Sequence, residues 1–188
     1  MKKSVFFLNK RKTIFKVLLL VLFSIGFVSI GYTQEKSKKE LRKELKEQEK
    51  IEKQKLVEDL VNGKTFVFQP NTALPTGART ITIPSNNYSV TFKPDLIDCD
   101  LPYFGRATAP MAYGSSDGGI KFNEKPEEYS IKNKNKKFDI EVEVKDKEDN
   151  YMLYLSVRSE GYATLRIISN LRTPISFNGE IRPLKTEE

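Results

Sequence analysis

The sequence has no histidine, no tryptophan and only one cysteine, Cys99, among its 188 residues. Without histidine there can be no Ser/His/Asp triad, no Cys/His dyad, no histidine-bearing zinc site and no histidine pH switch. A lone cysteine forms neither an internal disulfide nor a cysteine-rich metal site. We therefore expect a protein that is not an enzyme and that holds no metal and no cofactor.

The net charge of +7 is concentrated at the N-terminus rather than spread along the chain. Residues 1–33 contain six basic residues and no acidic one, whereas residues 62–188 contain 17 of each sign. A balanced body has no positive field to attract the phosphates of a nucleic acid. We therefore expect no nucleic-acid partner.

Residues 1–33 have the three parts of a secretory signal peptide: a basic start, an apolar run and a small-residue exit. The apolar run, Val17 to Ile30, is shorter than the roughly 20 residues that span a bilayer, so cleavage is favoured over retention as an anchor. We place the cleavage between Gly31 and Gln34. This predicts export to the periplasm or cell surface, with no membrane span after cleavage.

Residues 34–62 are rich in Lys and Glu and lack glycine and proline, which predicts a charged helix or linker that ends at Asn62-Gly63. Four leucines lie within about 100° of one another on a helical wheel; they are Leu41, Leu45, Leu56 and Leu60. The segment could be a coiled coil or tether that contacts a partner, or a linker whose last turns alone pack on the following domain. The absence of sustained heptads favours the linker.

In residues 63–188 the hydrophobic period changes to two, which is typical of strands. The clearest strand has Phe138, Ile140, Val142 and Val144 alternating with charged residues, so that one face is buried and the other wet. Similar but shorter patterns occur at Thr65–Gln69, Thr80–Ile83, Tyr88–Phe92, Tyr151–Val157, Ala163–Ile167 and Ile175–Phe177. About eight short strands without intervening helices predict a mainly β domain, an antiparallel meander that closes into a barrel or forms a two-sheet sandwich.

Residues 96–122 are the least regular part of this domain and contain the candidate binding residues. Tyr103, Phe104 and Tyr113 could offer flat contact area to a ligand, while Arg106 could bind an anionic group. The alternative is that Leu101 and Phe104 close one end of the barrel and that Arg106 caps backbone carbonyls. We favour this alternative, because aromatic residues lie more often in a core than in a site.

Asp95, Asp98 and Asp100 cluster around Cys99. Paired carboxylates can bind calcium or hydrolyse glycosides, but this spacing lacks the glycine and terminal glutamate of a calcium loop. We expect a solvated turn here. Cys99, between two acids that raise its pKa, is expected to be a small buried residue and not a nucleophile.

Several segments carry a family resemblance: Val61–Phe68, Leu101–Ala107, Gly118–Phe122, Gly161–Leu165 and Ile175–Ile181. With them, most of residues 55–184 resembles an uncharacterised family of exported proteins of the Bacteroidetes type, known only as a domain of unknown function. The resemblance implies a lipocalin-like barrel behind a signal or lipoprotein leader, and it implies no catalytic residues. This chain differs in having no lipoprotein cysteine and a longer Lys/Glu segment.

The sequence thus predicts an exported, non-enzymatic β-barrel protein. The interior of a small barrel is either filled by side chains or just wide enough to bind one small apolar ligand or lipid, and the inward positions fit both. The alternative function is a cell-envelope interaction module that contacts a partner protein through the Lys/Glu-rich helix.

Overall fold

The computed structural model describes residues 38–84, 87–106, 118–134, 137–147 and 149–184. The predicted signal peptide and Tyr113 lie outside these residues. The chain divides into two compact units, Met1–Leu45 and Lys46–Glu188, and every strand belongs to the second unit.

One helix precedes ten strands among the described residues, which confirms the predicted mainly β fold with a charged N-terminal helix. The helix, α1, runs from Lys38 to Asn62. The strands are β1 (Phe66–Pro75), β2 (Ile81–Thr82), β3 (Ser89–Lys93), β4 (Leu96–Leu101), β5 (Ile120–Glu124), β6 (Pro126–Lys134), β7 (Lys137–Lys145), β8 (Asn150–Arg158), β9 (Tyr162–Ser169) and β10 (Ile175–Arg182). No helix in the described part of the chain combines the length and the hydrophobicity needed to cross a bilayer.

The strands form one antiparallel sheet in the order β5-β4-β3-β1-β10-β9-β8-β7-β6, and the short β2 pairs with β1 outside this path. The order consists of two meanders, one before and one after Lys125, joined where β1 pairs with β10. The two edge strands, β5 and β6, follow one another in the chain. The sheet therefore curls into a nearly closed barrel, as the sequence predicts.

The link between β5 and β6 is the single residue Lys125. The shortest common hairpin loop has two residues, so the chain cannot reverse here and continues in the same direction. It leaves its pairing with β4 and takes up pairing with β7. One continuous stretch of backbone thus connects the two edge strands of the sheet, β5 and β6.

The predicted alternation is clearest in β7, β8 and β9, where every second residue is buried. Phe66 stacks on Phe92, its register partner on the neighbouring strand β3, with ring centroids 4.8 Å apart, whereas Phe122 of the first meander stacks on Tyr151 of the second at 4.7 Å. Offset aromatic pairs of this kind add about 0.5–1.5 kcal/mol beyond the burial of their area. The inward faces of both meanders therefore form one hydrophobic core.

The prediction of a solvated turn holds for Asp95, which lies exposed in the turn between β3 and β4, but it is wrong for Asp98 and Asp100, because both lie on β4. Ile97, Cys99 and Leu101 alternate with them and are buried. Aspartate is rare in strands, so Asp98 and Asp100 obscure a strand pattern in which every alternate residue is apolar. The strands β5 and β6 were also not expected; β6 is an edge strand with no regular burial pattern.

A bulge in β1 brings its backbone unusually close to β10. The register shifts between Pro70 and Thr72, which leaves Asn71 as the extra residue. A Cβ on Gly179, opposite the bulge, would lie 2.8 Å from the Pro70 Cα and closer still to the Gln69 carbonyl oxygen. Only glycine permits this approach.

Helix α1 reaches the core through its last two turns. Val57 and Val61, four residues apart on one face, are buried in the same cluster as the strand residues, and Leu60 packs against that cluster. Leu56, although part of the predicted leucine stripe, is 47% exposed. The face of α1 that packs on the core is therefore centred on Val57 and Val61 and not on the stripe of four leucines.

The helix ends at Asn62, as the Asn62-Gly63 pair predicts, but the left-handed residue that follows it is Lys64. The amide of Thr65 donates to the carbonyl of Leu60 and that of Lys64 to Val61, the two hydrogen bonds of a Schellman motif. Lys64 occupies the left-handed position of this motif with φ 50°, and its ammonium lies 4.6 Å from the centroid of the Tyr129 ring. A lysine thus stands where glycine is normally found.

We expect Lys64→Gly to be more stable than Lys64→Ala by about 1 kcal/mol, because a left-handed backbone costs a residue with a Cβ about 1–2 kcal/mol. Both variants lose the contact with Tyr129, so their difference isolates the backbone. Urea unfolding of the two variants measures it. Equal midpoints would contradict the left-handed conformation at Lys64.

Candidate functional site

Tyr103, the first of the predicted binding residues, is half-buried. Its hydroxyl forms a set of hydrogen bonds with Arg106 and Thr173 that we call the clamp. Its hydroxyl lies 2.9 Å from the Arg106 carbonyl oxygen, 3.0 Å from the Thr173 carbonyl oxygen and 2.9 Å from Thr173 Oγ1. It can donate to one carbonyl while it accepts from the threonine hydroxyl. The polar end of this side chain is therefore engaged in tying β4 to the turn between β9 and β10.

The backbone around Tyr103 is tied to the same turn. The Arg106 amide donates to Thr173 Oγ1 at 3.1 Å, and the Thr173 amide donates to the Arg106 carbonyl at 3.0 Å. A Cβ on Gly105 would lie 2.5 Å from Cζ of Tyr103 and 2.7 Å from Thr173 Oγ1. Gly105 is therefore required for the chain to wrap over the tyrosine ring.

The arginine that caps backbone carbonyls is Arg172, not Arg106. Its Nη1 donates to the carbonyls of Gly118 at 3.1 Å and Gly119 at 2.8 Å, and its guanidinium carbon lies 5.1 Å from the centroid of the Tyr103 ring. The side chain of Arg106 is exposed. The role expected for one arginine thus belongs to another, 66 positions further along the chain.

The remaining predicted binding residues do not come together with Tyr103 in a described pocket. Phe104 is 41% exposed and so does not close the end of the barrel, whereas Leu101 is fully buried. Tyr113 lies outside the described residues. In the part that the structure describes, this end of the barrel is held together by Tyr103, Arg172 and Thr173.

On β4 the two acidic residues share the outward face, whereas Cys99 between them is on the inward face. Asp98 and Asp100 point outward, and the Asp100 carboxylate lies 3.6 Å from the Lys121 ammonium on β5. Cys99 points inward, and burial, followed by the charges of Asp100 and Asp98, raises the pKa of its thiol well above the usual value. Cys99 is thus buried, as the sequence predicts. No group of three acidic or cysteine side chains among the described residues is arranged to hold a metal ion.

Asp149, the buried carboxylate at the start of β8, is occupied by hydrogen bonds. It accepts from the amide of Asn150 at 2.8 Å, from the amide of Asn170 at 3.0 Å and from the hydroxyl of Ser169. Burial, with the nearby charge of Asp149, raises the pKa of Tyr151 to about 12. The hydrogen bonds of Asp149 join the β7–β8 turn to the end of β9.

The interior of the barrel is occupied by large side chains. Residues with less than 2% exposure point inward from both meanders; they are Phe66, Phe68, Phe92, Phe177, Ile97, Leu101, Ile120, Ile140, Leu153, Leu155, Leu165 and Ile167. In small β-barrels the inward-facing positions are commonly filled by side chains in this way. The inward positions that could line a ligand cavity thus form the core instead.

A groove of about 450 Å³ lies on the outer face of the sheet, where β7, β8, β9, β10 and the β1 bulge meet. Ligand pockets are commonly about 300–1,000 Å³. The lining residues are Asn71, Lys137, Ser156, Arg158, Tyr162, Ala163, Thr164, Asn178 and Gly179. They include hydroxyls, amides, two cations and one aromatic ring, but no carboxylate, so the groove is a polar depression with two cationic side chains in its lining.

Strand register brings the groove residues together. Ser156 faces Thr164, which in turn faces Asn178, and the Thr164 hydroxyl donates to the Asn178 side-chain oxygen at 3.0 Å. Arg158 stands directly opposite Lys137 in the β7–β8 pair. Sequence reasoning did not find this site, because its residues are separated by up to 108 positions and only the register makes them neighbours.

We expect Tyr103→Phe to lower the free energy of unfolding by about 1–2 kcal/mol, because it leaves the carbonyls and hydroxyl of the clamp without their partner. Tyr162→Phe is the matched control: it removes the same atom from a side chain that is 63% exposed and should change stability by less than about 0.5 kcal/mol. Urea unfolding compares the two. An equal effect of both variants would contradict the clamp.

Comparison with known proteins supports the same fold. The structure is similar to a crystal structure of a DUF4251 family protein from Bacteroides eggerthii, with a TM-score of 0.56 and 13% sequence identity over 70% of this chain and 87% of that one. No curated protein sequence matches the chain. The family pattern of DUF4251, a domain of unknown function, matches residues 48–181. The chain therefore belongs to the DUF4251 family.

Proposed function

We propose that this protein is exported to the bacterial cell envelope and serves there as a non-enzymatic binding protein, with the outer groove as its binding site. The observation that carries the proposal is the contrast between the two faces of the sheet. The inward face is packed with large apolar side chains, whereas the outward face at β7–β10 has a concave, polar surface. A polar ligand fits the groove better than an apolar ligand fits the interior.

The chemistry of the groove supports binding rather than catalysis. Its lining has hydrogen-bonding and cationic groups but no carboxylate or thiol that could act as a base or nucleophile. The buried Asp149 and Cys99 are directed into the fold. Export is supported by the basic, apolar and small-residue parts of residues 1–33.

Contact with a partner protein through α1 is the second candidate function. From Lys46 to Leu56, only Gln54 is even half-buried, so that this stretch of helix is accessible. Its charges are mixed in sign. We rank this function below groove binding, because no apolar stripe on this stretch would be buried by a partner.

Export is tested by producing the full chain in a Bacteroides host and by fractionating the cells. We expect the protein in the periplasmic or surface fraction, with a new N-terminus between Gly31 and Gln34. A chain that starts at Gln34 should stay in the cytoplasm. Finding the full-length chain in the cytoplasm would contradict the proposal.

Binding is tested by mixing residues 34–188 with small molecules and glycans extracted from the host envelope, followed by native mass spectrometry. We expect a retained mass on the natural chain that is lost from Thr164→Trp, which fills the groove. Asn123→Trp, an equally exposed position on β5, is the control and should keep the ligand. No retained mass, or an equal one on Thr164→Trp, would contradict binding in the groove.

A further inference from the structure

The groove contains two cations placed where they repel. Lys137 and Arg158 are directly opposite in the β7–β8 register, and like charges in such positions are destabilising. The Lys137 ammonium is neutralised by Asp139, 2.9 Å away on the same strand. Arg158 forms no ion pair with any of the described residues. It is therefore a guanidinium at the edge of a groove with no acid in its lining.

A guanidinium in this position is suited to an anion. It presents paired N–H donors in a plane, the geometry that binds a carboxylate or phosphate in a bidentate manner. An anion at Arg158 would also supply the counter-charge that Asp139 supplies to Lys137. A negatively charged part of the ligand would thus pair with the one cation of the groove lining that has no ion pair among the described residues.

The rest of the groove is suited to a ligand rich in hydroxyl groups. Ser156, Thr164 and Asn178 form a row of donors and acceptors across three neighbouring strands, which are spaced about 4.8 Å apart. Asn71, displaced outward by the bulge, adds an amide beside the end of this row. A ligand with several hydroxyls can hydrogen-bond to more than one of these groups at once.

Tyr162 supplies a flat apolar surface at the same place. Its side chain is 63% exposed, the largest exposure among the large hydrophobic residues described. Tyr162 is the first residue of β9. The last pair in the β8–β9 register is Val157–Ala163, so the next two residues toward the turn, Arg158 and Tyr162, face each other across the hairpin. An aromatic ring with a polar tip can pack against the C–H face of a sugar ring while its hydroxyl stays wet.

The other ligand classes fit less well. The only other apolar lining residue is Ala163, which leaves no pocket for the hydrophobic anchor of a peptide or lipid. The equal numbers of basic and acidic residues over 62–188 give no extended positive surface for a nucleic acid. A single free arginine beside hydroxyls, amides and one ring is better suited to a short charged saccharide.

Together these observations identify a ligand class, an identification that rests on the proposed function of the groove. We propose that the groove binds an oligosaccharide with an anionic group, that Arg158 binds the anion and that Tyr162 stacks on a sugar ring.

The test uses residues 34–188 and isothermal titration with three probes: a galacturonate trisaccharide, the neutral galactose trisaccharide and free galacturonate. We expect the charged trisaccharide to bind at least tenfold more tightly than either of the others. Arg158→Gln should remove the tenfold preference, and Arg158→Lys should restore only part of it. Tyr162→Ala should weaken both trisaccharides. Arg166→Ala removes an exposed cation outside the groove lining and should change nothing.

Binding of neither trisaccharide, or equal binding of the charged and neutral ones, would overturn the assignment. Equally tight binding of free galacturonate would also overturn it, since an anion alone would then be recognised. The envelope extract separates this failure from failure of the groove. If the retained mass is lost from Thr164→Trp but kept by Arg158→Gln, the groove still binds and only the anionic saccharide is wrong.

Discussion

The pairing of β1 with β10 is the constraint on which the barrel depends. It joins the meander before Lys125 to the meander after it, and the two strands lie about a hundred positions apart in the sequence. Each meander alone would be an open sheet with an exposed apolar face. Folding to one core therefore requires the most distant pairing in the chain, which is slow to form because long loops must close first.

The same pairing also shapes the outer surface. Gly179 lets the β1 backbone approach β10, and the bulge at Asn71 lifts one residue out of the ladder. The groove lies beside this bulge, and the strand residues that alternate with its lining residues are buried in the core. The proposed binding surface is thus built mainly on hydrogen-bonded strands rather than on a loop, which suits the positioning of several polar groups at once.

The sequence predicts the strands with strong alternation, such as Phe138–Val144, because one buried face is enough to reveal them. It does not predict β6, an edge strand whose partial burial gives no regular pattern. It singles out Tyr103 but cannot tell a clamp from a ligand contact, since the deciding partner, Thr173, lies 70 positions away. The sequence does not predict the Arg158–Lys137 pair either, because only the strand register places these two charged residues opposite each other.

The position of Cys99 makes its thiol a natural probe for the local opening of β4. It is the one thiol in the chain, lies in the middle of β4 and is 2% exposed. A thiol reagent can reach it only when β4 separates from the core, so the labelling rate in native conditions follows the local opening of that strand. Comparing this rate with global unfolding would show whether the first meander opens as a separate unit, without adding any label to the chain.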